Sequence, residues 1–154
     1  MAPTPRPFSK AEVAIANPII QVMSRVNTWV YRATNGRLGG RFLRGAPVCL
    51  LTTVGRKSGQ RRVAPLIYGR DGNRLLLIAS KGGMDHHPRW YLNLVANPEV
   101  EVQVGAEVLP MTAHTASEEE KRALWPTMVA VYPDYDDYQA RTARDIPLVI
   151  LTPR

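Results

Sequence analysis

Apolar positions along this chain follow two different periods. From Ile19 they recur as Ile19, Val22, Met23, Val26, Trp29 and Val30, the spacing of one helical face. Ser9-Lys10-Ala11-Glu12 has the form of a capping box and predicts the start of that helix. Pro18 is expected to interrupt or restart it, and Asn35-Gly36 to stop it. Gly36 to Gly45 reads as a loop, with Leu38, Phe42 and Leu43 expected to tie it to the core. After Pro47 the period shortens. Val48 to Val54, Arg62 to Tyr68 and Leu75 to Ala79 read as strands, with Asp71-Gly72 as the hairpin turn between the last two. Leu75-Leu76-Leu77-Ile78 does not alternate, which predicts burial on both faces. Val100 to Val104 alternates strictly, as a half-buried strand must, and Val108 to Thr115 returns beside it after Gly105. Ile146 to Leu151 is the last strand, with Pro147 near its start.

Helices are inserted between these strands. One runs from Pro88, in its first turn, to about Ala96 and ends at Asn97-Pro98. Another opens at a second capping box, Ser117-Glu118-Glu119-Glu120, runs through Leu124 and Trp125, and is expected to kink or divide at Pro126. About six strands in hairpins, without βαβ alternation, point to a small antiparallel barrel with flanking helices, mainly β within an α+β class. The division expected is a helical extension over residues 1–40 and one barrel domain over 41–154.

Composition narrows the partners. The 154 residues carry 20 Lys+Arg against 13 Asp+Glu, a formal charge of +7. An anionic partner follows, and nucleic acid, anionic lipid and a phosphorylated small molecule all qualify. A single cysteine, Cys49, excludes an internal disulfide and a multi-cysteine metal site, and it reads as a buried hydrophobe. With no apolar leader region and no long apolar run, the expected location is cytoplasmic.

The positive charge is concentrated at one place. Gly55 to Arg62 brings Arg56, Lys57, Arg61 and Arg62 together with Gly55, Ser58 and Gly59. Glycines let main-chain N–H groups approach an anion, and the cations neutralise it. Ser80-Lys81-Gly82-Gly83 repeats this chemistry after the third strand, so two loops are available for one anion pocket. A solvated basic hairpin tip is the plain alternative. Nucleic-acid contact is disfavoured because Tyr68 is the lone aromatic on the strands. Asp85-His86-His87 lacks further His or Cys at ligand spacing, so no metal is expected. Trp90 and Leu94 share a helical face with Asn93 beside it, and the helix start is an anion-friendly dipole end. Tyr132, Tyr135 and Tyr138, three apart, form a stripe if helical, either partial core or the wall of a pocket for a flat substrate. No Ser-His-Asp order, phosphate-binding Walker loop or carboxylate pair supports hydrolysis or ATP chemistry. Residues 9–35 read first as a helix packed on the domain and second as an amphipathic segment on a membrane surface or a lid.

Together, Thr53-Val54-Gly55-Arg56-Lys57-Ser58-Gly59 with Arg61 and Arg62, Ala79-Ser80-Lys81-Gly82-Gly83, His87-Pro88-Arg89-Trp90-Tyr91-Leu92-Asn93-Leu94 and Asn97-Pro98 resemble the deazaflavin-dependent nitroreductase and F420H2-dependent quinone reductase family. Tyr132-Pro133-Asp134-Tyr135 and Arg144-Asp145-Ile146-Pro147 extend the resemblance. It implies a split β-barrel related to FMN-binding barrels and the coenzyme F420. It implies that Arg56, Lys57, Ser58 and Arg62, helped by Lys81, hold the anionic tail of the cofactor. Ala79, Ser80, Lys81 and Gly82 would pass the ring, Trp90 and Asn93 would orient it, and Tyr132, Tyr135, Tyr138 and Ser80 would line the catalytic side. The reaction implied is hydride transfer to a menaquinone-like quinone, a nitroaromatic or another activated acceptor. A non-catalytic deazaflavin carrier and a basic nucleic-acid-binding barrel are the rival readings. The expected assembly is a monomer or homodimer, with peripheral membrane contact through residues 9–35 at the inner face of the membrane as a further expectation.

Overall fold

The computed structural model describes residues 6–41 and 45–154, with the side chains of residues 16, 17, 19 and 20 also left aside. The expectations for Phe42 and Leu43 fall outside the described residues. Chain order is α1 (Lys10–Thr34), β1 (Val48–Val54), β2 (Arg61–Ile67), β3 (Gly69–Asp71), β4 (Arg74–Ile78), α2 (Arg89–Ala96), β5 (Glu99–Val104), β6 (Glu107–Thr115), α3 (Glu118–Val131), α4 (Asp134–Arg141) and β7 (Leu148–Pro153). A 3-10 turn, Lys81–Gly83, lies between β4 and α2.

The seven strands form one antiparallel sheet in the order β2-β1-β5-β6-β7-β4-β3. It curls into a split β-barrel flanked by helices, as the hairpin pattern predicts. The curl is visible in the second predicted strand, which continues past Tyr68 and divides there. Its first half pairs with β1 (Val48 opposite Ile67), and its second half pairs with β4 (Gly69 opposite Leu76). One bent segment thus supplies both end strands of the sheet and curls the two ends toward each other. Inside lie Cys49, Leu51, Leu75, Leu77, Val100, Val102, Val149 and Leu151, with Leu94 of α2 packed on them. On another face Leu76, Ile78, Ile146, Leu148 and Ile150 meet α3 and α4 through Met128, Tyr132 and Tyr135.

Neither proline divides its helix. α1 is one helix through Pro18, and α3 is one helix through Pro126 to Val131. Each proline deprives the residue four positions earlier, Ala14 or Arg122, of one hydrogen bond; both residues are exposed, which lowers the cost of the loss. Both capping boxes form as read, at Ser9/Glu12 and Ser117/Glu120. Leu38 does not tie its loop to the core; it stands exposed. Pro88 caps α2 from outside its first turn, and β7 opens at Leu148, one residue after Pro147.

α1 meets the barrel at its two ends. Near its C-terminus Tyr31 is buried, and its hydroxyl accepts from Gly105 N–H at 2.7 Å and donates to the Gln103 carbonyl at 3.2 Å. Before its N-terminus the Phe8 ring lies 4.6 Å from the Arg141 guanidinium of α4. Val22, Val26 and Trp29 lie along a different face. At about 100° per residue, Tyr31 sits roughly half a turn round from Val22. The apolar stripe therefore points away from the barrel, and Trp29 is 71% exposed.

Candidate functional site

The hairpin between β1 and β2 is built to be a cationic tip. Gly55 N–H donates to the Gln60 carbonyl at 2.7 Å, and Gly59 N–H donates to the Gly55 carbonyl at 2.8 Å. Ser58 Oγ accepts from Gln60 N–H at 3.2 Å, so the hydroxyl keeps its own proton to donate. A Cβ on Gly55 would stand 2.6 Å from Ser58 Oγ, which is why glycine occupies that corner. Arg61 turns aside and pairs with Glu101 of β5. Arg56, Lys57 and Arg62 are exposed and have no acidic partner among the described residues. Three cations without counter-charge among the described residues, on a loop stiffened by its own hydrogen bonds, suit an anion supplied from outside.

The second loop, Ala79 to Met84, runs through left-handed backbone at three successive residues: Lys81 (φ 45°), Gly82 (φ 64°) and Gly83 (φ 79°). Gly83 is pressed onto α4, where a Cβ would lie 2.7 Å from the Tyr138 carbonyl oxygen. Gly82 faces open space. Arg144 holds the loop from behind: its guanidinium donates to the carbonyls of Ala79 (3.2 Å), Ser80 (2.7 Å) and Met84 (2.8 Å). Arg141 donates to the Gly82 carbonyl at 3.3 Å. Lys81 Nζ lies 2.7 Å from His86 Nε2. Burial, followed by the nearby charges of Arg89 and Arg144, pulls the Lys81 ammonium below its usual pKa.

β1 and β4 are not neighbours in the sheet, so the two loops do not meet through strand pairing. α2 joins them instead. Arg89, at its start, is close enough to Lys81 to act on its charge. Asn93, one turn on, is buried and accepts from Arg56 N–H at 3.1 Å while donating to Thr53 Oγ1 at 3.2 Å. Residues four apart share a helix face, so a single turn of α2 bridges hairpin and second loop. Asn93 is thereby committed to holding the hairpin. Trp90 is half-buried against the barrel core beside it.

The tyrosines converge, but not as one helical stripe. Tyr132 lies in the corner between α3 and α4, and Tyr135 and Tyr138 are on α4. Their rings pack at steep angles, with centroids 5.3 to 6.2 Å apart. Tyr132 and Tyr135 are only 2% and 4% exposed, so they back the site, and Tyr138 is the member that reaches the surface. The hydroxyls of Tyr132 and Tyr138 are 3.3 Å apart. Burial, and for Tyr132 then the bond to Tyr138, raises both buried phenols above the usual tyrosine pKa, so they keep their protons. Ser80 is buried at the edge of the second loop. Cys49, walled in by the core, is pushed up to about 12 and is chemically inert.

The adjacent histidines diverge. His86 faces Lys81 and Asp85; His87 accepts at Nδ1 from Arg144 at 3.1 Å and stacks near Tyr91. A cleft of about 490 Å³ lies beyond His87, lined by Tyr91, Thr115, Lys121 and Asp145 among others. None of the sequence-predicted site residues lines it, and its Lys121 and Asp145 are already paired with each other. The structure brings Arg56, Lys57, Ser58 and Arg62 together at one tip, and Ala79, Ser80, Lys81 and Gly82 together with Tyr138 at the other end of the bridge that α2 makes. Reasoning from sequence missed Arg141, Arg144 and Thr53 as supports. Arg144 stands in a motif that was read, in a short loop before a strand, but nothing local says which carbonyls it reaches.

Cations without an acidic partner at one end, and open space before Gly82 with N–H groups that meet no acceptor at the other, all among the described residues, suit an elongated ligand with an anionic tail and a flat polar ring. Known proteins resemble this chain over most of its length. The family model for F420H(2)-dependent quinone reductases matches residues 23–153. An F420H(2)-dependent quinone reductase of Mycobacterium tuberculosis is 42% identical over 133 residues, covering 84% of this chain and 89% of that protein. The solved structure of an F420-H2 dependent reductase (FDR-A) is 44% identical, with a TM-score of 0.64, over 68% of this chain and 93% of that one. A solved domain-swapped dimer is 39% identical, with a TM-score of 0.66, over 87% of this chain and 98% of its own.

Proposed function

This chain belongs to the F420H(2)-dependent quinone reductase family, and from that premise we propose how its residues carry the reaction. It is an oxidoreductase that uses reduced coenzyme F420 and acts on a quinone. The coenzyme, when bound, supplies the hydride. Arg56, Lys57, Ser58 and Arg62 grip its phosphate and carboxylate tail, with Lys81 adding charge at the ring end. Ala79 to Gly82 would hold the ring through main-chain groups, and Trp90 would help to orient it. Asn93 acts through Arg56, keeping the tip in register with the ring site. Tyr138 and Ser80 face the acceptor as hydrogen-bond donors, with the Tyr132 hydroxyl behind Tyr138, which favours charge developing on a quinone oxygen. The observation that carries this reading is the bridging turn of α2, which sets three uncompensated cations and a glycine-rich N–H loop at its two sides. A menaquinone-like quinone is the proposed acceptor, and nitroaromatics are proposed as further acceptors of the same ring geometry.

The test is a fluorescence titration with oxidised F420, beside FMN, followed by turnover of a quinone with the reduced form. Saturable F420 binding without comparable FMN binding, and quinone-dependent oxidation of F420H2, are expected. Tight binding with no turnover on any acceptor would make the chain a carrier instead.

The apolar stripe of α1 supports peripheral contact with the inner face of the cell membrane. Ile15, Val22, Val26 and Trp29 are exposed along it, and Arg25 and Arg32 flank them. Such a face buries apolar side chains at the acyl boundary and leaves arginines for anionic headgroups. Among the described residues no helix is long and apolar enough to cross a bilayer. Co-sedimentation with anionic vesicles, lost in Trp29→Glu with F420 binding unchanged, is expected; equal sedimentation of both proteins overturns it. A homodimer is the alternative use of this surface, supported by the domain-swapped relative, and light scattering without vesicles separates the two.

A further inference from the structure

The second loop has one side fully used and one side free. Its carbonyls at Ala79, Ser80, Gly82 and Met84 all accept from Arg144 or Arg141. The Ser80 carbonyl also accepts from Gly83 N–H at 2.9 Å, and the Lys81 carbonyl from Met84 N–H at 3.2 Å. The N–H groups of Ser80, Lys81 and Gly82 donate to no acceptor among the described residues.

The peptide unit makes this asymmetry directional. A carbonyl and the N–H that follows it lie in one plane and, in a trans peptide, point in opposite directions. No peptide in the described residues is cis. The Ala79 carbonyl and Ser80 N–H share one such unit, and the Ser80 carbonyl and Lys81 N–H share the next. When Arg144 draws both carbonyls toward its guanidinium, both N–H groups turn away from it. A cation on the carbonyl side also polarises each unit, so the outward N–H becomes a stronger donor. The left-handed backbone that begins at Lys81 continues this row and leaves Gly82 without a side chain in front of it. Arg144 reaches across 65 residues to do this, and its guanidinium is itself part-buried, with no carboxylate bonded to it among the described residues.

We infer that Arg144 is a positioning residue for hydride transfer: by capping the Ala79 and Ser80 carbonyls it aims the Ser80 and Lys81 N–H groups as a paired donor at the carbonyl-bearing pyrimidinedione edge of the deazaflavin. Arg141 supports the same loop at Gly82. The inference rests on the proposed placement of F420 and deepens it. It makes this N–H pair the feature that fixes which edge of the ring faces inward. Lysine cannot replace Arg144, because an ammonium lacks the planar fork that reaches several acceptors at once.

The test uses the ¹⁵N-labelled full chain, with oxidised F420 as the probe. In the wild-type protein the amide protons of Ser80 and Lys81 are expected to move downfield on F420 binding. In Arg144→Lys both amides are expected to be displaced already without ligand, and the Kd for F420 to rise about ten-fold. In Arg144→Ala, added guanidinium is expected to recover part of the affinity, which a merely destabilised fold would not show. Wild-type binding that leaves both amides unmoved overturns the inference and leaves the cofactor assignment standing. Arg144→Lys with wild-type amides and affinity does the same. If wild-type protein fails to bind F420, the cofactor placement falls, and the ligand-free amides of Arg144→Lys still decide the orientation: unmoved, they overturn it. If neither variant folds, the wild-type amide shifts decide alone.

Discussion

The side-chain oxygen of Asn93 accepts from the main-chain N–H of Arg56 at 3.1 Å, across 37 residues of sequence. Its amide nitrogen donates to Thr53 Oγ1 at 3.2 Å in the same buried spot. One side chain on α2 therefore fixes both the end of β1 and the first cation of the tip. Replacing it with leucine leaves two partners unpaired. The expected cost is about 1–3 kcal/mol, read as a fall of several degrees in Tm. F420 affinity should fall with it, since the tip loses its register. A variant with unchanged Tm would show that Asn93 is not the clamp.

The exposed cations should behave differently. Arg62→Ala and Lys57→Ala remove charges with no acidic partner among the described residues, so stability should change by less than about 0.5 kcal/mol. F420 affinity should fall roughly ten-fold for each, and less at high salt. Arg61→Ala is the internal control, because Arg61 is paired with Glu101. Titrations at two ionic strengths compare the three. Equal losses for Arg61 and Arg62 would contradict the division of the tip into paired and free charges.

Gly82 and Gly83 are neighbours with the same left-handed backbone, yet their substitutions should separate. Gly83→Ala sets a Cβ 2.7 Å from the Tyr138 carbonyl oxygen as well as into a strained conformation. Gly82→Ala meets nothing within 4 Å and bears only the conformational cost, about 1–2 kcal/mol. Thermal melts should rank Gly83→Ala as clearly less stable. F420 titration should find Gly82→Ala the more impaired relative to its stability loss, because its methyl group occupies the open space before the proposed ring site.

His87 supplies a pH dependence whose sign follows from its surroundings. Burial first, then the charges of Arg144 and His86, lower its pKa from 6.5. Arg144 donates to its Nδ1, so the folded state keeps the ring neutral with the proton on Nε2. The unfolded chain binds a proton as pH falls below about 6.5, and the folded chain resists until its lower pKa is reached. Stability from this residue is therefore present above about pH 6.5 and lost as pH falls from there through the lower folded-state value. Melts between about pH 5 and 8 should show a larger acid-side loss in the wild type than in His87→Gln. Superimposable profiles would remove His87 from the account.

Local rules carried much of this fold in advance. Both capping boxes, the alternation of Val100, Val102 and Val104, and the double-sided burial of Leu75 to Ile78 are properties of short segments, and the structure keeps them. The same rules misjudged Pro18 and Pro126. A proline ends a helix only where its lost hydrogen bond is not replaced, and whether water reaches that carbonyl depends on how the helix sits on the barrel.

At the site, residue types were legible and their relations were not. The cations and glycines at Arg56 to Arg62 and Ser80 to Gly83 suggest an anion pocket by composition, and ring contact is implied only by the family resemblance. That Arg61 is spent on Glu101 while Arg62 is free, that Asn93 serves the hairpin, and that Tyr132 and Tyr135 stand behind Tyr138 all depend on how the sheet curls and on where α2 and α4 cross it. Arg144 is the clearest case. Its role lies in three carbonyls 60 to 65 residues away, and only the pairing of β7 with β4, Leu148 opposite Ile78, brings them within hydrogen-bond reach. Propensity and pattern act over a few residues of chain, whereas the orientation of a peptide plane is set by whatever the tertiary fold places behind it.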